Sequence, residues 1–201
     1  IVDTVKNMTK YSVMIEDVTE VAYELDKAID IATSNRMGPV WIDIPADIQN
    51  AEINHKNLKT FLHPKKIFKK NLIDKKIKKI AKLLSKCERP VLHLGQGVKI
   101  SGGEKVLRKI ISKYKFPFAL TWNASDLIES KNSSYIGRPG AFAERGTNFI
   151  IQNCELFISV GSRLPFMVTG YNANDFARKA KKVMVDIDEN ELRKCRVNLN
   201  Q

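Results

Sequence analysis

The sequence has few cysteines, and their spacing matches no common metal-binding or disulfide motif. Only three occur, Cys87, Cys154 and Cys195, without a CxxC pair or a Cys/His cluster. An odd number of widely separated cysteines argues against a disulfide framework and against a zinc site. We therefore expect a cytoplasmic protein that holds no metal through its own cysteines or histidines.

Long hydrophobic runs are also missing. No stretch approaches the roughly 20 apolar residues that a membrane-spanning helix requires, so we expect no membrane partner. Hydrophobic residues still make up 43% of the 201 positions. That content and length predict one large domain, or one domain with part of another.

Acidic residues are scarce beside basic ones, 22 against 34, which leaves a net charge of +12. Nine lysines crowd residues 65–82, where Asp74 is the single acid. Apolar residues recur at helical spacing in the same stretch: Ile73, Ile77, Ile80, Ala81 and Leu84. This pattern favours the solvated face of an amphipathic helix over a phosphate-binding patch. Lysine in place of arginine also weakens the case for specific recognition, and we expect no nucleic-acid partner.

Four short apolar runs in the second half of the chain each end at a glycine-bearing or polar turn. The runs are Val91–Leu94, Phe118–Leu120, Leu156–Val160 and Val183–Val185. Runs of this kind are typical of parallel strands covered on both faces, and helical patterns alternate with them. We predict an α/β fold with an open parallel sheet, helices on both faces and a Rossmann-like arrangement. Ligands of such sheets bind at the carboxyl ends of the strands.

The first part of the chain predicts a helix and a strand. Residues 17–37 have a helical apolar face, with capping-box spacing between Asp17 and Glu20. The run Val40–Ile44 then predicts a strand, and we find no strand pattern before it. Because a lone central strand cannot satisfy its backbone groups, we expect residues 1–48 to be a helix-strand remnant of a second α/β domain whose earlier strands are missing.

The predicted organisation therefore has three parts. Residues 1–48 end one domain, residues 49–70 form a polar linker, and residues 71–201 form a truncated central domain. Within the last part, a helical turn is expected after Asp188, and Val197-Asn198-Leu199 predicts the start of a fifth strand.

The turn Gly95-Gln96-Gly97 does not support standard NAD binding. The third glycine of a G-x-G-x-x-G pattern is replaced by Ile100. The next strand ends in Thr121-Trp122, where an acid for the NAD ribose is expected. An oxidoreductase of that type is therefore disfavoured.

Two later turns leave alternatives open. Glycine at 161 lets the backbone approach a ligand, and Arg163 can bind phosphate or form a surface salt bridge. Asp186 can accept a hydrogen bond from a ribose hydroxyl or cap a helix, although Asp188 is the better candidate for the cap. We interpret His93, inside a strand, as a core histidine with its hydrogen bonds satisfied. No arrangement of catalytic residues is recognisable, so no catalytic residue is assigned.

At these residues the chain resembles the thiamine-diphosphate-dependent enzymes of the acetolactate synthase type. The matching segments, in chain order, are Gly38 to Gln49, Arg89-Pro90-Val91 with Gly95-Gln96-Gly97, Asn153 to Leu156, Gly161-Ser162-Arg163, Val168-Thr169-Gly170 and Val185-Asp186-Ile187-Asp188. The resemblance covers nearly the whole chain, and the order and spacing of the segments carry it.

The resemblance implies a piece of a three-domain enzyme: the end of its pyrimidine-binding domain and most of its central domain. The catalytic glutamate of the family lies upstream, and the Gly-Asp-Gly…Asn motif that holds Mg²⁺ and the diphosphate lies downstream. It further implies a carboligase or decarboxylase acting on a 2-oxo acid such as pyruvate, assembled as a homodimer or homotetramer. The piece by itself is expected to be inactive.

Acetolactate synthases bind FAD in this central domain, without redox work in the main reaction. The positions that match the FAD-binding ones are Gly95, Gln96, Gly97, Thr121, Gly161, Ser162, Arg163, Asp186 and Ile187. Two departures touch the flavin region. Leu164-Pro165-Phe166-Met167 stands where the family usually has Phe-Asp-Asp-Arg, and Gly137-Arg138-Pro139-Gly140 replaces Gly-Met-His-Gly. Simple 2-oxo acid decarboxylases keep this domain without flavin.

Two other hypotheses come from different functional classes. One is a stand-alone flavin- or nucleotide-binding module related to electron-transfer flavoproteins. The other is a basic nucleic-acid-binding protein, which predicts salt-sensitive binding of DNA or RNA.

Overall fold

The computed structural model describes residues 1–64 and 70–200. The chain divides into two compact units, Ile1–Phe68 and Lys69–Gln201. The lysines at positions 65, 66 and 69, and part of the predicted linker, lie outside the described residues.

The first unit contains a two-stranded parallel sheet. Strand β1 (Tyr11–Met14) pairs with β2 (Val40–Asp43) so that Tyr11 lies opposite Val40. Its helices are α1 (Val2–Val5), α2 (Val21–Thr33) and α3 (Ala46–Asn50). Helix α2 connects the two strands, which makes the unit a βαβ arrangement.

The predicted helix over residues 17–37 is shorter than expected. A 3₁₀ turn at Val18–Glu20 precedes α2, and Asp17 caps that turn by accepting a hydrogen bond from the Thr19 amide at 2.9 Å. Helix α2 ends at Thr33 because Ser34 adopts an extended backbone, with ψ of 150°. Helix α2 therefore ends before it reaches Gly38-Pro39.

The prediction that no strand precedes Val40–Asp43 is wrong, because β1 pairs with it along its whole length. Strand β1 is only four residues long, and three of them are half-buried while Met14 is exposed. So short a run lacks the alternation of apolar and polar residues that identifies a strand in sequence. The assignment of residues 1–48 to a pyrimidine-binding domain stays a prediction, and it now depends on the resemblance.

Part of the predicted linker packs on α2 in the first unit. Lys59 forms an ion pair with Glu20 at 2.6 Å, and its amide donates to the Thr19 carbonyl at 2.9 Å. The Phe61 ring meets the Tyr23 ring edge-on, with centroids 5.6 Å apart. These contacts fix residues 59–61 against the start and first turn of the helix.

The second unit is built on a four-stranded sheet in the order β4-β3-β5-β6. Its strands are β3 (Pro90–Leu94), β4 (Phe118–Leu120), β5 (Leu156–Val160) and β6 (Lys181–Val185). All neighbouring pairs are parallel. The α/β fold class and the four strands predicted from the apolar runs are confirmed.

Two hydrophobic cores lie on the two faces of this sheet. The helices of the unit are α4 (Lys70–Leu84), α5 (Gly97–Ile100), α6 (Glu104–Tyr114), α7 (Arg145–Asn153), α8 (Phe166–Thr169) and α9 (Glu189–Arg193). Side chains alternate along β5, so that Leu156 and Ile158 enter one core and Phe157 enters the other. The first core includes residues of α4 and α6, and the second includes residues of α7, α8 and α9.

One expectation for this unit needs correction. Val197-Asn198-Leu199 is not a strand, although Asn200 exchanges hydrogen bonds with Lys182 of β6 through its amide and side chain. The apolar face of α4 is only partly packed: Ile80 and Leu84 pack against the first core, while Ile73 and Ile77 are exposed.

Candidate functional site

The four strands of the second unit deliver their carboxyl ends to one edge, and backbone hydrogen bonds tie these ends together. The Thr121 amide donates to the Leu94 carbonyl at 3.0 Å, and the Gly95 amide donates to the Val160 carbonyl at 2.9 Å. The Gly161 amide donates to the Val185 carbonyl at 2.9 Å. The first residue after each of β4, β3 and β5 thus bonds the last residue of the neighbouring strand. The predicted turns therefore form one continuous edge.

The glycines of this edge pack against one another. A Cβ at Gly95 would lie 2.1 Å from the Gly161 carbonyl oxygen, and a Cβ at Gly97 would lie 2.7 Å from the Gly161 Cα. Gly161 itself has φ +61°, the left-handed region that favours glycine. The absence of side chains at these positions is therefore explained by contact between the two turns, with or without a ligand.

Gln96 supplies an unpaired polar group between those glycines. Its Oε1 atom is buried and has no hydrogen-bond partner among the described residues. A buried amide oxygen without a partner costs free energy, so a donor from a bound molecule or water is expected to complete it. The turn after β3 is therefore a place where the described contacts leave a polar group unsatisfied.

Arg163 contributes positive charge at the end of β5. Its Nη1 atom lies 3.9 Å from Oε1 of Glu191, whose side chain is only 4% exposed. Lys194 approaches the same carboxylate oxygen at 3.0 Å. The Arg163 side chain remains 61% exposed. The long contact leaves guanidinium surface that can bind a phosphate, so both interpretations of Arg163 from the sequence remain compatible with the geometry.

The remaining predicted positions take different places at the edge. Asp188 caps α9 by accepting from the Asn190 amide at 2.9 Å, which confirms it as the helix cap. Asp186 accepts from the Asp188 amide at 2.9 Å, so at least one of its oxygens serves the turn. Ser162 is buried, Thr121 is half-buried and Ile187 is exposed.

His93 lies in the core, as its strand position predicts, but its hydrogen bonds are not all satisfied. Its Nδ1 atom is 3.4 Å from the Ser159 hydroxyl, and its ring stacks on Phe157 with centroids 5.6 Å apart. Its Nε2 atom has no partner in the described part of the chain. Complete burial lowers the His93 pKa from 6.5 to about 4, so the ring is neutral near pH 7.

The loop after β4, whose Gly137-Arg138-Pro139-Gly140 run departs from the family pattern, is tied to α7 and α8 by hydrogen bonds, and the part that Asn148 plays in this was not predicted from the sequence. Asn148 bonds both backbone groups of Gly140, with its Oδ1 accepting and its Nδ2 donating at 3.0 Å each. The Glu144 carboxylate accepts from the Arg138 amide at 2.8 Å. The Ala141 amide donates to the Met167 carbonyl at 2.9 Å. An asparagine three residues into a helix that follows a G-x-x-G run was the available signal.

Metal binding has no support in the geometry of residues 1–64 and 70–200. No group of three or more His, Cys, Asp or Glu side chains among them is arranged to hold an ion. In the same residues, no helix has the length and hydropathy needed to cross a bilayer.

A parallel sheet whose strands lead into glycine turns at one carboxyl edge belongs to the open α/β class, in which that edge is the usual place for a ligand. A family model described as "Thiamine pyrophosphate enzyme, central domain" matches residues 77–200. The chain belongs to this family, as its resemblance to thiamine-diphosphate-dependent enzymes predicts.

Curated relatives extend the similarity to nearly the whole chain. The acetolactate synthase isozyme 2 large subunit of Escherichia coli is 31% identical over 195 residues, 94% of this chain and 33% of that protein. The probable acetolactate synthase large subunit of Methanocaldococcus jannaschii is 32% identical over 193 residues, 93% of this chain and 32% of that protein. The chain thus spans about a third of the length of these relatives.

Proposed function

We propose that this chain is the central part of a thiamine-diphosphate-dependent carboligase or decarboxylase that acts on a 2-oxo acid such as pyruvate. The observation that carries the proposal is the match of the family model to residues 77–200, which fall within the compact unit Lys69–Gln201. Acetolactate synthase large subunits among the relatives favour the carboligase. When bound, thiamine diphosphate supplies the electron sink for loss of carbon dioxide from the 2-oxo acid.

In this proposal the second unit binds FAD along its carboxyl edge. The polar groups fit a dinucleotide: Arg163 carries exposed positive charge for the diphosphate, and the Gln96 Oε1 atom, in the turn after β3, is an acceptor without a partner among the described residues. Asp186, at the end of β6, is placed to accept from a ribose hydroxyl. Gly95, Gly97 and Gly161 contribute by letting the two turns approach each other closely.

In this proposal the residues of this chain bind FAD and hold it in place, and none of them transfers a proton. His93 is buried within the sheet and neutral near pH 7, so it supports the strand ends and stays away from substrate. Magnesium, held by parts of the enzyme outside this chain, a homodimeric or homotetrameric assembly and a cytoplasmic location complete the proposal on the basis of the resemblance.

Product analysis tests the proposed reaction. The protein encoded by the complete gene is incubated with pyruvate, thiamine diphosphate and Mg²⁺, and the products are separated by chromatography. A carboligase gives a five-carbon 2-hydroxy-3-oxo acid when a second pyruvate is the acceptor, whereas a decarboxylase gives acetaldehyde. Neither product, from pyruvate or from a panel of other 2-oxo acids, would overturn the proposal.

The Arg163→Ala variant is expected to weaken FAD binding about tenfold or more, because it removes a charged donor to phosphate. Equilibrium dialysis with FAD measures the dissociation constant, and far-ultraviolet circular dichroism checks that the fold is intact. Arg193→Ala is the matched control, since that exposed arginine pairs with Glu189 on α9. Equal affinity of wild type and Arg163→Ala would assign Arg163 to the salt bridge with Glu191.

A stand-alone flavin module is not favoured by the comparisons. The relatives at 31–32% identity are acetolactate synthase large subunits, and the similarity extends to the first unit as well as the second. A module limited to flavin binding gives no reason for that extension.

A further inference from the structure

Two exposed aromatic side chains meet at the carboxyl edge of the sheet. Trp122 follows β4 and is 56% exposed, and Phe142, in the loop before α7, is 74% exposed. Their ring centroids are 6.2 Å apart and their planes are tilted by 49°. Contiguous exposed apolar surface rimmed by polar groups is where proteins bind partners or ligands.

The backbone holds both rings in place. The 3₁₀ turn that contains Trp122 begins directly after Thr121, whose amide bonds the end of β3 at 3.0 Å. On the Phe142 side, the adjoining Ala141 amide bonds the Met167 carbonyl beyond β5. Asn148 also fixes Gly140 through two hydrogen bonds. These bonds fix the backbone next to both rings, so the pair is held at the carboxyl edge.

The Trp122–Phe142 pair lies beside the polar groups of the same edge. Strand β3 lies between β4 and β5, so the Trp122 side chain and Arg163 follow strands that are about 10 Å apart. The unpaired Gln96 oxygen belongs to the turn that leaves β3 between them. One edge therefore offers, in spatial order, an aromatic surface, an amide oxygen and a cation.

The small exposed area of the Trp122–Phe142 pair favours a small molecule over a protein as its binding partner. Two aromatic side chains present on the order of 300 Å². A stable protein interface buries about 800 Å² on each partner. The neighbouring cation and amide add the directional polar groups expected for a small anionic molecule.

We propose that Trp122 and Phe142 form a stacking platform for the planar heteroaromatic ring of a nucleotide whose phosphates reach Arg163. This inference rests on the proposed FAD site and adds to it the residues that bind the ring. Ring stacking on aromatic faces contributes on the order of a tenfold gain in affinity or more. The isoalloxazine ring and the adenine ring share this chemistry, and the choice of probes separates them.

Tryptophan fluorescence provides a readout independent of activity. The chain contains two tryptophans, Trp41 and Trp122. Emission is recorded during titration with FAD, FMN and ADP for the parent protein, Trp41→Phe and Trp122→Phe. We expect FAD to quench the emission that Trp122 contributes, taken as the difference between the parent and Trp122→Phe, and to leave the emission that Trp41 contributes unchanged. Quenching by FMN alone assigns the platform to isoalloxazine, and quenching by ADP alone assigns it to adenine.

Affinity is measured in parallel by equilibrium dialysis. We expect Trp122→Ala to weaken FAD binding about tenfold and Trp122→Phe to retain most of it, because a phenyl ring still stacks. Tyr114→Ala is the matched control. That tyrosine is 54% exposed and stacked on Phe116, and it precedes β4, at the opposite end of the sheet.

The outcomes separate the platform from the cofactor site. FAD binding with unchanged affinity in Trp122→Ala and no quenching of Trp122 would overturn the platform and leave the proposed FAD site standing. Absence of binding by FAD, FMN and ADP alike would overturn the platform and the FAD site together. Self-association of the parent that Trp122→Ala or Phe142→Ala abolishes, without nucleotide binding, would assign the pair to an interface between copies.

Discussion

At the scale of single residues, His93 couples the stability of the second unit to pH. Burial lowers its pKa from 6.5 to about 4, and its ring is packed between Ser159 and Phe157. The folded state therefore binds fewer protons than the unfolded state between these two pH values. Stability must fall as the pH drops from 6.5 towards 4, by about 3 kcal/mol in all.

The His93→Leu variant is expected to flatten that pH dependence. Urea denaturation followed by circular dichroism at pH 7 and at pH 4.5 gives the two unfolding free energies for each protein. His55→Leu, which alters an exposed histidine, serves as the control and should keep the parental difference. An unchanged pH difference in His93→Leu would show that other groups cause the acid destabilisation.

The interlocked glycines give a second prediction at this scale. Gly95→Ala places a Cβ 2.1 Å from the Gly161 carbonyl oxygen, a backbone atom that also accepts from the Gly97 amide at 3.1 Å. We expect a loss of more than about 2 kcal/mol, from overpacking and backbone strain. Gly146→Ala is the opposite case, because nothing lies within 4 Å of its added Cβ and the residue is within α7.

Thermal denaturation of the two variants checks this contrast. Gly146→Ala should raise stability by about 0.5–1 kcal/mol, since alanine is the better helix residue. Gly95→Ala should lower the midpoint clearly. If Gly95→Ala were as stable as wild type, the close contact between the two turns would be wrong.

At the scale of elements, Asn148 on α7 organises the loop that carries Phe142. Asn148→Ala removes both hydrogen bonds to Gly140, with an expected cost of about 1–3 kcal/mol. Hydrogen exchange measured by mass spectrometry should show faster exchange of the Gly140 and Ala141 amides. Asn153→Ala, which removes a bond to Phe149 at the end of the same helix, should leave the exchange of that loop unchanged.

The elements also show what the sequence could predict. Strands Leu156–Val160 and Phe118–Leu120 have the predicted bounds, because wholly apolar runs identify buried strands. Strand β1 was missed because four half-exposed residues carry too little pattern. The prediction of a fifth strand was wrong. Asn200 pairs with the backbone amide and carbonyl of Lys182, and among the described residues no further strand hydrogen bonds continue from this pair.

The sequence predicted where the candidate site lies, but it did not predict all of the residues that meet there. Glycines and an arginine after strands identify the carboxyl edge from sequence alone. The mutual packing of Gly97 and Gly161, and the ring contact between Trp122 and Phe142, join residues far apart in the chain. Such contacts depend on the strand order, which the spacing of motifs does not give.

At the scale of the whole molecule, the chain belongs to the thiamine pyrophosphate enzyme central-domain family and covers about a third of its curated relatives. The carboxyl edge of its second unit carries the exposed Arg163 and the Gln96 Oε1 atom, which has no partner among the described residues. Within the described residues there is no cluster arranged to hold a metal. We propose that, in the full-length protein, this chain binds a dinucleotide along that edge.

The most direct test is the cofactor dependence of carbon dioxide release by the protein encoded by the complete gene. Release from a panel of 2-oxo acids is measured with thiamine diphosphate and Mg²⁺ and after each is omitted. The account predicts release from at least one acid, pyruvate first, that stops when thiamine diphosphate is removed and returns when it is restored. Release that is independent of thiamine diphosphate, or no release from any 2-oxo acid, would contradict it.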